Sequence, residues 1–114
     1  MTRPDCKLGR LKKRSEFLYV RNGRYQARPT IVIQMRGHSA RKDGINVGFT
    51  ATKKIGNAVV RNRCKRRLRE LARALLPLHG KSGFDYVFIA RAKTAHAHWP
   101  DLQKDVEKAL LRLA

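Results

Sequence analysis

The sequence predicts an α+β domain, an α/β sandwich in which helices pack on one central sheet. Three observations carry this reading. A length of 114 residues suits a single domain with one core. Short β-rich stretches at 30–35, 45–52 and 84–90 are interleaved with helical stretches. The apolar residues of the two longest helical stretches recur at 3.6-residue spacing, so each has one face to bury against a sheet.

The elements follow in order. Residues 1–9 are expected to form a flexible N-terminal tail. Ser15 to Arg21 reads as a short helix, with Ser15 as N-cap and Asn22-Gly23 as its stop. Thr30 to Met35 is a short β-rich run opened by Pro29. Ile45 to Thr52 alternates apolar with small or polar residues, as a strand with one buried face does. The polar segment Gly37 to Gly44 is expected to join those two strands as a hairpin loop. Phe84 to Ala90 is nearly all apolar, which suits a central strand covered on both faces. Leu102, Val106, Ala109, Leu110 and Leu113 mark a last helix, with Pro100 and Asp101 in its first turn and its apolar face returning to the same side of the sheet.

The middle helix carries the most information. Asn57 is a good N-cap, and the helix is expected to run to about Leu76, before Pro77. Val60, Cys64, Leu68, Leu71 and Leu75 form one narrow apolar stripe; Asn62, Lys65, Arg66, Arg69 and Arg73 fall opposite. Arg61, Arg63 and Arg67 flank the stripe. Cys64 is a small buried apolar residue in this reading. Two strands joined by such a helix make a β-α-β unit, for which physics alone favours a right-handed crossover.

The charge narrows the function. Twenty-seven Lys and Arg against 8 Asp and Glu give a net charge of +19. A compact body with this field needs a polyanion, and phosphate backbones supply one through counterion release. A merely soluble protein explains the charge poorly, and an anionic membrane surface would call for aromatic anchors beside the basic helix. Clusters stand at Arg10 to Arg14 and at 53–73, where Glu70 is the only acid. Three of the eight acids, Asp101, Asp105 and Glu107, fall in the last fourteen residues, so that segment is the least suited to meet phosphate.

Other classes lack support. No apolar run reaches 18 residues, and the opening residues lead into basic rather than apolar sequence, so neither a membrane span nor a secretory signal is expected. Cys6 and Cys64 make no disulfide framework or zinc pattern. His96 and His98 have no further ligand at a structural spacing, so they read as surface residues where a helix begins. No phosphate-cradling glycine loop occurs, and Ser15, Ser39 and Ser82 have no identifiable His and Asp partners. The chain reads as a cytoplasmic binder of nucleic acid and not as a self-contained catalyst. Aromatics are too sparse for a sheet with paired base-stacking platforms, although Phe17, Tyr19 and Tyr25 can supply one or two stacking contacts.

The stretch Val47 to Glu70 adds a resemblance. Its run from Lys53 to Glu70 matches K-K-x-G-N-A-V-x-R-N-R-x-K-R-x-x-R-E without a gap, and Leu11-Lys12-Lys13, Glu16-Phe17, Gly23 and Asp85 to Arg91 agree as well. The chain thereby resembles, over about residues 8 to 113, the protein subunit of bacterial ribonuclease P. The resemblance implies a fold like the second domain of ribosomal protein S5, with a left-handed β-α-β crossover in place of the right-handed default. It implies two RNA partners, the catalytic RNA subunit and precursor tRNA, with no membrane and no obligate protein partner. It also implies removal of the tRNA 5′ leader by chemistry that belongs to the RNA and its Mg²⁺ ions, the protein itself holding no metal.

By the same resemblance, Lys12, Lys13, Lys53, Lys54, Asn57, Arg61, Asn62, Arg63, Lys65, Arg66, Arg67 and Arg69 face RNA. Phe17, Arg21, Ile31 and Ile33 line a cleft for the single-stranded leader. Arg21 stands where many members carry an aromatic, so leader contact here leans more on charge. Two other readings share the charge: a structural rRNA-binding protein, and a DNA-binding regulator that lays the basic helix in a major groove.

Overall fold

The computed structural model describes residues 8–38, 41 and 43–114. The elements are β1 (Leu8–Arg10), α1 (Arg14–Arg21), β2 (Arg24–Ala27), β3 (Ile31–Gly37), β4 (Ile45–Thr50), a 3-10 turn (Lys53–Ile55), α2 (Ala58–His79), β5 (Phe84–Ala90) and α3 (Trp99–Leu113). The strands form one mixed sheet in the order β1-β4-β5-β3-β2. β4 runs parallel to β5 with α2 as the crossover, and β1 parallel to β4. β3 is antiparallel to both β5 and β2.

The alternation of each strand decides which helix it meets. Ile31, Ile33 and Met35 of β3, Ile45 and Val47 of β4, and Tyr86 and Phe88 of β5 point to one face. There they pack with Cys64, Leu68, Leu71 and Leu75 of α2 and with Leu102, Val106, Leu110 and Leu113 of α3. The helical stripe is therefore buried as its spacing predicts, apart from Val60, which is only partly covered at its margin. A smaller cluster of Leu11, Val20 and Val87 occupies the other face, with Phe17, Tyr19 and Ile89 against it. α1 covers that face only in part.

Several expectations need correction. β3 and β4 are not paired as a hairpin, because β5 lies between them; residues 39, 40 and 42 of the expected loop lie outside the described residues. The strand with apolar residues on both faces takes the centre, and the two one-sided strands flank it. The short polar strands β1 and β2 carry too little pattern to be recognised in the sequence. A tail reaching Gly9 is excluded, since Leu8 and Gly9 pair with Ile45 and Asn46; residues 1–7 lie outside the described residues. The cap of α1 is Lys13, not Ser15, because Glu16 reaches back to accept the backbone N–H groups of Lys12 (2.9 Å) and Lys13 (2.8 Å). α2 runs through Pro77 to His79. A proline in the last turn removes a single N–H donor, and the Pro77 ring is buried in return.

Candidate nucleic-acid interface

α2 starts where the sequence places it. The Asn57 side chain accepts the N–H of Val60 at 3.0 Å, which satisfies one of the free donors of the first turn. Gly56 just before it has φ 154°, a conformation that side chains rarely adopt, and an added Cβ would lie 3.0 Å from Val60. The 22 residues of α2 then present a basic rod roughly 33 Å long at about 1.5 Å per residue.

The cations on this rod divide into two groups. Arg61, Lys65, Arg66, Arg69 and Arg73 make no hydrogen bond or ion pair among the described residues, and the Asn62 side chain is likewise free and exposed. Arg63 and Arg67 are engaged. The Arg67 guanidinium donates to the carbonyls of Thr94 (2.6 Å), Ala95 (3.0 Å) and Ala97 (2.6 Å), and lies 5.4 Å from the centre of the Trp99 ring. Arg63 Nε donates to the Ala95 carbonyl at 2.8 Å. Burial, with the charge of Arg63 adding to it, lowers the pKa of Arg67 from its ordinary value. These two arginines fasten the segment between β5 and α3 to the side of α2. Burial also pushes the Cys64 thiol up, against the opposing pull of Arg67 and Arg63.

A second cationic patch adjoins the first. β1, held parallel to β4, brings Arg10 to a groove of about 290 Å³ shared with Arg69 and Arg73. Lys53 and Lys54 project from the 3-10 turn, and Lys12 and Lys13 stand exposed at the start of α1.

The sheet face beneath α1 is the other candidate surface. Phe17 lies directly over Gly48, where an added Cβ would stand 2.5 Å from the ring. Val32, Gln34, Thr50 and Ile89 remain half-exposed beside it. At the far edge Tyr25 pairs in register with Gln34, so it shares this face, and it is 65% exposed. Tyr19 points elsewhere. Its ring stacks on His38 with centroids 4.4 Å apart, the Arg36 guanidinium covers it at 4.0 Å, and its hydroxyl donates to the Gly37 carbonyl. His38 Nε2 in turn lies 2.7 Å from the buried Asp85 carboxylate, which Arg41 pairs at 2.8 Å. This chain of contacts ties α1 to the end of β3.

The ribonuclease P family model matches residues 7–114, nearly the whole chain. The chain belongs to the ribonuclease P protein family. The ribonuclease P protein component of Caulobacter vibrioides is 51% identical over 108 residues, covering 95% of this chain and 72% of that protein. That of Ruegeria pomeroyi is 48% identical over 105 residues, covering 90% and 84%. Among solved structures, the RNase P protein from Thermotoga maritima superposes with a TM-score of 0.78 at 26% identity, covering 92% of this chain and 97% of that one. The Staphylococcus aureus RNase P protein gives 0.77 at 28% identity, covering 91% and 94%.

Within this family fold, the expected site residues sort as follows. Arg61, Asn62, Lys65, Arg66 and Arg69 share the outward side of α2, with Lys53, Lys54 and Asn57 at its approach. Arg63 and Arg67 face the β5–α3 segment instead. Phe17 lies on the partly open sheet face, and Arg21 is exposed at the end of α1. Ile31 and Ile33 do not line that face. Both are wholly buried against α2 and α3, because alternation along β3 turns Val32 and Gln34 toward α1. Arg10, in the first basic cluster, and Val32 and Gln34, in the Thr30 to Met35 run, are not among the residues singled out from the sequence. Parity along β3 finds the last two once Ile31 is known to be core; Arg10 needed the pairing of a three-residue strand. Among the described residues no three His, Cys, Asp or Glu side chains gather to hold a metal ion, and His98 serves as the N-cap position of α3. No described helix is long and apolar enough to cross a membrane.

Proposed function

We propose that this chain acts as the protein component of ribonuclease P through two surfaces. The outward side of α2, extended by Lys53, Lys54 and Arg10, docks on the catalytic RNA. The sheet face under α1, with Phe17, Val32, Gln34 and Tyr25, takes the single-stranded 5′ leader of precursor tRNA. Leader cleavage then belongs to the RNA and its Mg²⁺ ions, as the family resemblance implies. The role of the protein is to hold two polyanions together against their repulsion, which is greatest where Mg²⁺ is scarce.

The observation that carries the reading is the group of unpartnered cations on one side of α2, within a fold shared with ribonuclease P proteins. Arginine suits this use because its planar fork binds phosphate with two hydrogen bonds. The test is cleavage of a 5′-leader precursor tRNA at low Mg²⁺ by the cognate RNA alone, with the protein, and with Arg61→Ala/Arg66→Ala. Stimulation by the protein that weakens in the variant is expected. Absence of stimulation by folded protein that still binds RNA would leave a structural RNA-binding protein.

A further inference from the structure

Apart from both surfaces, a cavity of about 600 Å³ opens between the start of β3, the segment after β5 and the first half of α3. Its size falls in the range of small-ligand sites. The sequence makes this the acidic end of the chain, and the fold reverses that reading. Asp105 accepts the N–H (3.2 Å) and hydroxyl (2.7 Å) of Thr30 and pairs with Arg28 at 3.4 Å. Glu107 lies 3.4 Å from His79. Among the described residues, Asp101 is left as the one carboxylate of the wall without a side-chain partner, against the exposed ammoniums of Lys93, Lys104 and Lys108. Asp101, Lys104 and Lys108 follow one another at i, i+3 and i+7, so they share a face of α3.

The rest of the wall is largely fixed and combines carbon surface with the imidazoles of His96 and His98. Pro29, Ala92 and Ala97 supply carbon surface. The Ala97 carbonyl is held by Arg67, and the Thr94 hydroxyl bridges the Arg91 N–H and the Thr30 carbonyl. A site already in shape loses little entropy on binding.

We propose that this cavity is a ribonucleotide site. The base lies on the apolar floor, the phosphate meets the lysines, and the ribose hydroxyls donate to Asp101. A bare phosphate would leave most of the volume empty and would meet Asp101 unfavourably. A metal cation would face three ammoniums, and among the described residues His96, His98, Asp101 and Asp105 do not gather into a group of three ligands. The same chemistry is offered by a free mononucleotide and by one nucleotide of an RNA strand. The site does not depend on how α2 docks, so it stands or falls separately from the holoenzyme assay.

Amide chemical shifts of the full chain, titrated with AMP, dAMP, inorganic phosphate and a single-stranded RNA pentamer, test it. AMP or the pentamer should shift the amides of 92–97 and 101–108 saturably, and more tightly than phosphate does. Saturation by AMP points to a free nucleotide, and saturation by the pentamer alone to a strand. The exposed Lys104→Ala/Lys108→Ala pair should weaken that binding about tenfold. AMP should exceed dAMP by about threefold, a preference that Asp101→Asn abolishes. Thermal melts confirm that each variant is folded. Shifts confined to α2 and the open sheet face, or equal affinity for phosphate and AMP, would overturn the assignment.

Discussion

Replacing Arg67 and Arg66, adjacent in sequence, should have opposite consequences. Arg67→Ala removes three charge-assisted hydrogen bonds to the carbonyls of Thr94, Ala95 and Ala97. Such bonds contribute about 1.5–3 kcal/mol each when shielded, but this segment lies near the surface and water can take over part of the role. A net loss of about 2–4 kcal/mol follows, or a drop in Tm of about 8–16 °C for a domain of this size. Arg66 is exposed and makes no hydrogen bond or ion pair among the described residues, so Arg66→Ala should stay within about 0.5 kcal/mol of the parent. Its effect should instead appear in RNA binding, where loss of one phosphate contact lowers the slope of log K against log salt by about 0.7–0.9. The assay is a thermal melt of each variant alongside RNA binding at several salt concentrations. If Arg67→Ala melts like the parent and lowers the slope as Arg66→Ala does, the division of the basic helix into fastening and docking arginines is wrong.

The proposed leader surface gives further tests. Tyr25→Ala should leave the Tm unchanged, since the ring is exposed, and weaken binding of leader-bearing tRNA by about 1–3 kcal/mol without affecting mature tRNA; direct binding of both RNAs checks this. Gly48→Val places carbon where the Phe17 ring lies and should cost about 1–3 kcal/mol of stability while lifting Phe17 off the sheet, visible in a denaturant melt and in the Phe17 ring resonances. Glu16 accepts the backbone N–H groups of Lys13 and Lys12, which hold its carboxyl below the ordinary 4.5. Its support of α1 should therefore be complete above that value and fade as pH falls through the lower folded one, read by amide exchange in α1; exchange independent of pH in that window, or unchanged in Glu16→Gln, would refute it.

Much of this was legible in the sequence because it is local or periodic. The Asn57 cap, the α2 stripe and the doubly apolar β5 each announce themselves within a few residues. The central place of β5 follows from its composition. What stayed hidden depends on pairing between distant segments. Nothing in Leu8-Gly9-Arg10 signals an edge strand until β4 is there to receive it. The inward face of β3 could not be chosen by alternation alone, which is why Ile31 and Ile33 were placed in the wrong surface. Arg63 and Arg67 carry the same letters as Arg61, Arg66 and Arg69; only the return of the 94–97 carbonyls to α2 distinguishes them.

The position of β5 also bears on how the chain acquires its structure. β3 and β4 never touch through the ladder, and each waits for β5, so that Ile31 pairs with Ala90 and Asn46 with Asp85. Before the last third of the polypeptide has left the ribosome, only two disconnected fragments of the described sheet can form, the β2–β3 hairpin and the parallel pair of β1 with β4. Pairings across such long stretches are slow and leave strand edges and apolar surface uncovered in the meantime. The strongly basic α2 is synthesised during that interval, ahead of the strand that completes the sheet beneath it. The nascent chain thus exposes its basic residues before it has a fold to direct them, and a ribosome stalled anywhere short of Phe84 would hold a cationic chain without a completed sheet.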